Sequence, residues 1–466
     1  MSLASGFVPT KLKIAKVIPI YKANDHHTVS NYRPISVLPV FSKIIERIVH
    51  NRLYDFISKF NLLHSSQFGF RSKRSSYMAL MEAYNKIVTD LDRKNHTIGI
   101  FLDLSKAFDT INHDILLDKL FHYGIRGITF EWFRNYLSNR SQFVSINNAK
   151  SSSINSTCGV PQGSILGPLL FIIYLNDIVY SSKVFSFIIY ADDTNLLASH
   201  KKFPHLIHVI NQELACISNW LKANRLSLNI NKSKYMIFKN KYSNRTYHDP
   251  VINIDNTTIS KVACIKFLGV NLDESLTWKQ HTTYIKNIVS KYSGILFRLK
   301  NMLPYSTLYS LYNSLVLPHV LYCNIIWADQ NNCNLNCIHL KQKKIICICS
   351  NSNFLAHTPP LFASLKSLTI YDIHKLHTAI FMYRSYNNLL PNNFSNYFIK
   401  INRIHPYTVR TSNNFRPPNF NTNLARNSIR SQGPILWNKI SSNIKNSTSF
   451  LTFKYKYKQY LLSQYQ

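Results

Sequence analysis

An α+β fold followed by a basic, mostly helical segment is what this sequence predicts, on three observations. From Ile98 to about Trp278, short β-rich runs alternate with helical periodicities, the pattern of a mixed sheet covered by helices. Beyond residue 281 the helical pattern dominates and the acids nearly vanish. A hydrophobic content of 45% over 466 residues supplies a substantial core.

Taken in order, residues 15–22 read as a strand, residues 31–36 as a second extended segment, and residues 42–60 as a helix with apolar positions at Ile44, Ile45, Ile48, Val49 and Leu53. Residues 98–102 form an apolar strand that ends in Asp103, with Asp109 and Asp114 in the loop and helix that follow. Gly159-Val160-Pro161-Gln162-Gly163-Ser164 is a Gly- and Pro-shaped turn into the buried apolar run 165–176, which lets backbone and a Gln amide approach a flat ligand closely. Residues 184–190 and 195–198 flank Asp192 and Asp193, which places two adjacent carboxylates at a hairpin tip. Laid beside Asp103 in one sheet, they make a carboxylate cluster of the kind that grips a divalent metal.

The net charge of +34 favours a polyanion, nucleic acid before an anionic membrane surface. From His281 onward there are 21 Lys+Arg against Asp329 and Asp372 alone, too few acids for a carboxylate-dependent nuclease in that segment. Eight irregularly spaced cysteines suggest no disulfide framework and fit a reducing compartment. Cys333, Cys337, His339, Cys347 and Cys349 match no common zinc spacing, and residues 345–349 read as a buried helix face. The longest apolar stretch, 165–175, is too short to span a bilayer, so no membrane partner is expected.

These motifs stand in an order that closely resembles the reverse transcriptase of non-LTR (LINE-type, jockey-like) retrotransposons. The resemblance rests on Phe101-Leu102-Asp103-Leu104-Ser105-Lys106-Ala107-Phe108-Asp109, on residues 159–164 with Leu166-Gly167-Pro168-Leu169-Leu170-Phe171, and on Tyr190-Ala191-Asp192-Asp193. It continues through residues 226–233 and Phe267-Leu268-Gly269-Val270, with further signatures at 31–36 and 433–438.

The resemblance implies a right-hand polymerase: fingers over 1–95, a ferredoxin-like palm over 96–280, and a basic helical thumb with a C-terminal extension over 281–466. It implies RNA-directed DNA synthesis with an RNA template, a DNA primer, dNTPs and two Mg²⁺ ions, Mn²⁺ being a possible substitute. Asp103, Asp192 and Asp193, with the Leu104 carbonyl, would hold the metals. Lys22 and Arg33 would neutralise the triphosphate, Phe108 would exclude a 2′-hydroxyl, Gln162 and Gly163 would line the nucleotide pocket, and Lys232 would assist pyrophosphate departure. The resemblance begins abruptly near Gly6, so truncated fingers and an endonuclease supplied from elsewhere are expected, as is work in the nucleus after assembly in the cytoplasm. The other reading is a catalytically silent copy that binds nucleic acid through charge alone.

Overall fold

The computed structural model describes residues 2–22, 25–147, 149–241, 249–329, 334–403 and 414–465. β1 (Ile14–Tyr21) and β2 (Tyr32–Val37) form an antiparallel hairpin, and α1 (Val40–Lys59) and α2 (Ser76–Asp92) follow. β3 (His96–Leu102) leads to α3 (His113–His122) and α4 (Gly127–Leu137), and β4 (Arg140–Ile146) then runs parallel to β1. α5 (Gly167–Leu175) precedes the hairpin of β5 (Ser186–Tyr190) and β6 (Asp193–His200), after which come α6 (Phe203–Ala223), β7 (Lys234–Phe238) and the short β8 (Ser260–Lys261). The rest is mainly helical and includes α7 (Lys279–Leu299), α8 (Leu335–Cys349), α9 (Ile370–Tyr386), α10 (Ile429–Lys439) and α11 (Phe450–Ser463).

The central sheet has the order β8-β7-β3-β6-β5, with β3 antiparallel to both neighbours. Without β8, the four strands read 4-1-3-2 in chain order, with helices connecting the first to the second and the third to the fourth. This is the ferredoxin-like palm expected of a right-hand polymerase. Strict alternation buries both faces. Ile98, Ile100 and Leu102 point into one core with Leu196, Tyr235, Ile237 and residues of α3 to α6. Phe101, Leu197, Met236 and Phe238 point into the other, which runs on through α2 into the C-terminal helices. Gly99 lies on this second face, and a Cβ there would come 2.8 Å from the Phe238 ring.

α2 joins the sheet to the C-terminal segment. It packs on β3, β5 and β6, and its polar groups are bonded from far along the chain. Asp92 Oδ1 accepts from Asn421 N at 2.9 Å, Thr422 N at 2.7 Å and Thr422 Oγ1 at 2.9 Å. Tyr397 donates to Glu82 at 2.7 Å and Arg430 to Thr89 at 3.2 Å.

One expectation is corrected. α1 does not bury Ile44 and Ile48, which are 51% and 42% exposed. The helix is turned to bring in Glu46, 1% exposed, whose carboxylate accepts from Tyr136 Oη and Ile165 N, both at 2.7 Å. That rotation aligns Glu46 with Val49, Leu53 and Ile57, and positions 44 and 48 lie on the opposite side. Cys347 and Cys349 are buried in the apolar face of α8, as read from the sequence, whereas Cys333 lies outside the described residues. Among the described residues no helix is long and apolar enough to cross a membrane.

Removing the Asp92 carboxylate leaves three donors without an acceptor. Asp92→Ala is expected to cost about 2–3 kcal/mol, read as a lower melting temperature and faster hydrogen exchange over residues 415–440. Unchanged exchange there would show that this bond set does not hold the C-terminal segment.

Candidate active site

Antiparallel pairing of β3 with β6 ends at Leu102 opposite Thr194. One step further, Asp103 comes opposite Asp193, and both side chains leave the sheet on the α2 side, with Phe101 and Leu197. Asp192 occupies the two-residue turn of the β5–β6 hairpin, in which Tyr190 pairs with Asp193. The turn is strained, since Ala191 has φ +57°, a conformation that costs an L-residue about 1–2 kcal/mol.

The strain is held by a brace that sequence reasoning missed. Gln67, 2% exposed, accepts from Ala191 N at 3.3 Å and from Gly69 N at 2.8 Å through its side-chain oxygen. Phe68 N donates to Ile189 O at 2.7 Å, which extends the sheet edge beside the turn. Gly69 is obligatory here, because a Cβ would lie 2.2 Å from Ala191 N. Arg71 and Arg74 brace the segment from behind through the carbonyls of His64 and Gln67. The available signal was a glycine between two phenylalanines in a chain with only 11 glycines in 466 residues.

The three carboxylates share an electrostatic field. Although Asp193 keeps solvent access, the protein around it removes hydration and, with Asp192 and then Asp103 nearby, pushes its carboxyl up to about 6. Among the described residues no three His, Cys, Asp or Glu side chains already converge on one metal position. Lys232 Nζ is 4.0 Å from Asp103 Oδ2, with both side chains largely exposed. The strand end is pinned by residues 227–233: Ser105 N donates to Ser227 O at 2.8 Å, Asn229 N to Asp103 O at 2.8 Å, and Asp103 N to Ser233 Oγ at 3.3 Å. These bonds do not use the Leu104 carbonyl, which the bridge to Leu228 directs to the other side of the strand.

Phe108 and Gln162 form a second group. The Phe108 ring stacks on Phe171, centroids 4.5 Å apart at 27°, and meets Phe70 edge-on at 6.2 Å. Gln162 Nε2 donates to both oxygens of Asp109, at 2.9 and 3.0 Å. A carboxylate only accepts, so this contact commits the Gln162 amide nitrogen and leaves its oxygen outward. Burial raises the Asp109 pKa, while Gln162 and Lys106 oppose the shift. Gly163, φ +126°, owes its identity to β2, since a Cβ would lie 2.4 Å from Ser36 O. Ser36 N in turn donates to Gln162 O at 2.7 Å, tying the β1–β2 hairpin to this loop. Lys22 and Arg33 are exposed near the tip of that hairpin, and among the described residues neither is paired with an acid. The structure therefore groups Asp103, Asp192, Asp193 and Lys232, groups Phe108, Asp109, Gln162 and Gly163, and leaves Lys22 and Arg33 on the hairpin that abuts the second group.

The family model described as reverse transcriptase (RNA-dependent DNA polymerase) matches residues 20–272, more than half of the chain. The chain belongs to the reverse transcriptase family. Its resemblance to the jockey-like enzymes is borne out by curated relatives. The RNA-directed DNA polymerase from mobile element jockey of Drosophila melanogaster is 28% identical over 405 residues, covering 84% of this chain and 43% of the relative. The probable RNA-directed DNA polymerase from transposon X-element of the same fly is 27% identical over 384 residues, covering 80% and 41%. The chain thus spans about two fifths of the length of these relatives. Among solved structures, apo telomerase from Candida tropicalis matches with a TM-score of 0.43 and 11% identity, covering 76% of this chain and 59% of that one.

For this reverse transcriptase, the raised Asp193 pKa has a stability signature. Between the ordinary carboxyl range and about 6 the folded chain holds a proton that the unfolded chain has lost, so this contribution is present at low pH and disappears as pH rises through about 6. Asp193→Asn is expected to melt higher than the parent above pH 6 in EDTA, with the gap closing towards pH 4. Equal melting temperatures at pH 8 would contradict the repulsion.

Proposed function

We propose that this chain is the RNA-directed DNA polymerase of a non-LTR retrotransposon, extending a DNA primer on an RNA template. The observation that carries the reading is the placement of Asp103 opposite Asp193 at the end of the palm sheet, with Asp192 at the braced turn. In the reaction, the primer 3′-oxygen attacks the α-phosphorus of a dNTP, a P–O bond forms, and the bond to pyrophosphate breaks.

The donor set suits a hard dication: three carboxylates and the Leu104 carbonyl are all oxygen ligands, and a cation would offset the mutual repulsion of Asp193 with Asp192 and Asp103. Two Mg²⁺ ions, or Mn²⁺ in their place, would supply positive charge at the attacking and leaving oxygens. The chain's own residues do the rest. Lys22 and Arg33 offset triphosphate charge, Gln162 and Gly163 border the nucleotide, and Lys232 stands beside Asp103 to meet departing pyrophosphate. Phe108, stacked on Phe171, would exclude a 2′-hydroxyl. Purified chain on poly(rA)/oligo(dT) with Mg²⁺ tests the reading, and no extension by folded protein would favour the silent alternative.

Asp192→Asn is expected to abolish extension while template–primer affinity stays nearly unchanged, since one carboxylate matters little to the attraction between a +34 protein and phosphate. Its Mn²⁺ affinity, followed by electron paramagnetic resonance, should fall, and parental affinity should weaken below about pH 6 as Asp193 takes up its proton. Extension at the parental rate would remove the metal assignment.

Phe108→Val is expected to raise ribonucleotide over deoxyribonucleotide incorporation by tenfold or more, about 1.4 kcal/mol in relative transition-state binding. If the ring only packs the core, stability falls by roughly 2–4 kcal/mol and the ratio does not move. Both nucleotides on one template–primer, with a melting curve, separate the outcomes.

A further inference from the structure

We infer that α11 and the cavity beside it form a binding face for single-stranded nucleic acid, separate from the carboxylate site. α11 buries Phe453, Tyr457, Leu461 and Leu462 and turns Lys454, Tyr455 and Lys456 to solvent, with Lys458 at their edge. The Tyr455 and Tyr460 side chains are 65% and 49% exposed. No acid lies on the helix, and none of these lysines is in an ion pair among the described residues. Burial, then repulsion from Lys454 and Lys366, lowers the Lys458 pKa, and among the described residues none of the three is in an ion pair. Phosphates relieve that repulsion, and flat exposed rings between lysines offer stacking platforms for bases.

A cavity of about 520 Å³ opens where α9, α10 and α11 meet, lined by Lys375, Lys439, Tyr457, Tyr460, Gln432 and Gln464. Asp329 and Asp372 also line it, and the Asp372 carboxylate is engaged by Tyr465, Thr369 and Lys375. His374 is pushed down to about 4 by burial and adds no charge. Tyrosine rings, amides and the Lys439 ammonium beside the apolar side chains of Ile435, Leu436 and Ile440 suit a base turned out of a strand, with its phosphates on the rim. A duplex keeps its bases stacked inside and satisfies only the rim.

α2 lies between the face and the carboxylates. α11 packs on α9, α9 packs on α10 and bonds to α2 through Arg384 and Tyr77, and α2 packs on β3, β5 and β6. A strand held here leaves the polymerase site free.

The test uses the full chain carrying Lys454→Glu, Lys456→Glu and Lys458→Glu together and, separately, Tyr455→Ala. Fluorescein-labelled oligouridine and oligothymidine of equal length, and a duplex of that length, are titrated by anisotropy at several salt concentrations, with extension of saturating preannealed template–primer in parallel. The triple variant is expected to lose tenfold or more in single-strand affinity, with a salt slope shallower by about 2. Tyr455→Ala should weaken the single strands and spare the duplex, and extension should be unchanged in both variants. Comparison of oligouridine with oligothymidine says whether the strand is RNA or DNA. Parental affinity in the triple variant overturns the proposal, as does equal loss for duplex and single strand with Tyr455→Ala silent, which is bare electrostatics. A matching fall in extension also overturns it, by placing the face in the polymerase site. Should the triple variant fail to melt cooperatively, 4-thiouridine crosslinking of the parent decides: adducts within residues 454–460 support the face, and their absence overturns it.

Discussion

Everything functional here hangs on the register of β3 between β6 and β7. A strand side chain alternates faces with a period of two, so a slip of one residue would exchange Ile98, Ile100 and Leu102 with Gly99, Phe101 and Asp103. Both cores would lose their fillers at once, and Asp103 would leave the sheet on the wrong side of its partners. The register is pinned on both faces. Phe238 fills the space left by Gly99 on one face, and Tyr235 and Ile237 fill the other beside Ile98 and Ile100. The burial that stabilises the palm and the positioning of the carboxylate are therefore one constraint, since neither can be satisfied in another register.

Around that strand the site is built by bracing loops against one another. Gln67 and Gly69 hold the strained Ala191 turn, Asp109 holds Gln162, and residues 227–233 hold the end of β3. Each brace uses a polar group that is bonded on its protein side, so the free edges (the Asp193 carboxylate, the Gln162 oxygen and the Leu104 carbonyl) face outward. Three carboxylates gather at this end of the sheet in a chain that is elsewhere strongly basic, and loss of hydration, then Asp192 and Asp103, raise the Asp193 pKa.

Much of this was legible in the residues. β1, α1, β3, the 159–164 turn, the buried α5 and the carboxylate hairpin all carry local signals, whether period-two or helical apolar spacing, Gly and Pro placement, or Asp at a turn. What stayed illegible depends on contacts distant in sequence. The outward turn of Ile44 and Ile48 follows from Glu46 meeting Tyr136, and helical periodicity alone cannot weigh a buried carboxylate against two isoleucines. Likewise the sequence around the glycine at 163 does not show that its missing Cβ makes room for the Ser36 carbonyl. The bracing roles of Gln67 and Asp109 also lie in partners 124 and 53 residues away.

The position of α2 bears on how the chain is made. Its apolar sides are covered by the palm sheet on one side and by the C-terminal helices on the other, and Asp92 meets Asn421 across 329 residues of sequence. At a synthesis rate of about 5–20 residues per second, this helix would wait tens of seconds on the ribosome for its second cover. Trp278 and residues 324–327 reach Tyr84 and its helix first, and the cover is completed only by Asn421, Thr422 and Arg430, so the nascent chain carries a partly covered apolar surface in the interval. A copy interrupted before the 420s would leave that cover incomplete even with every catalytic motif intact.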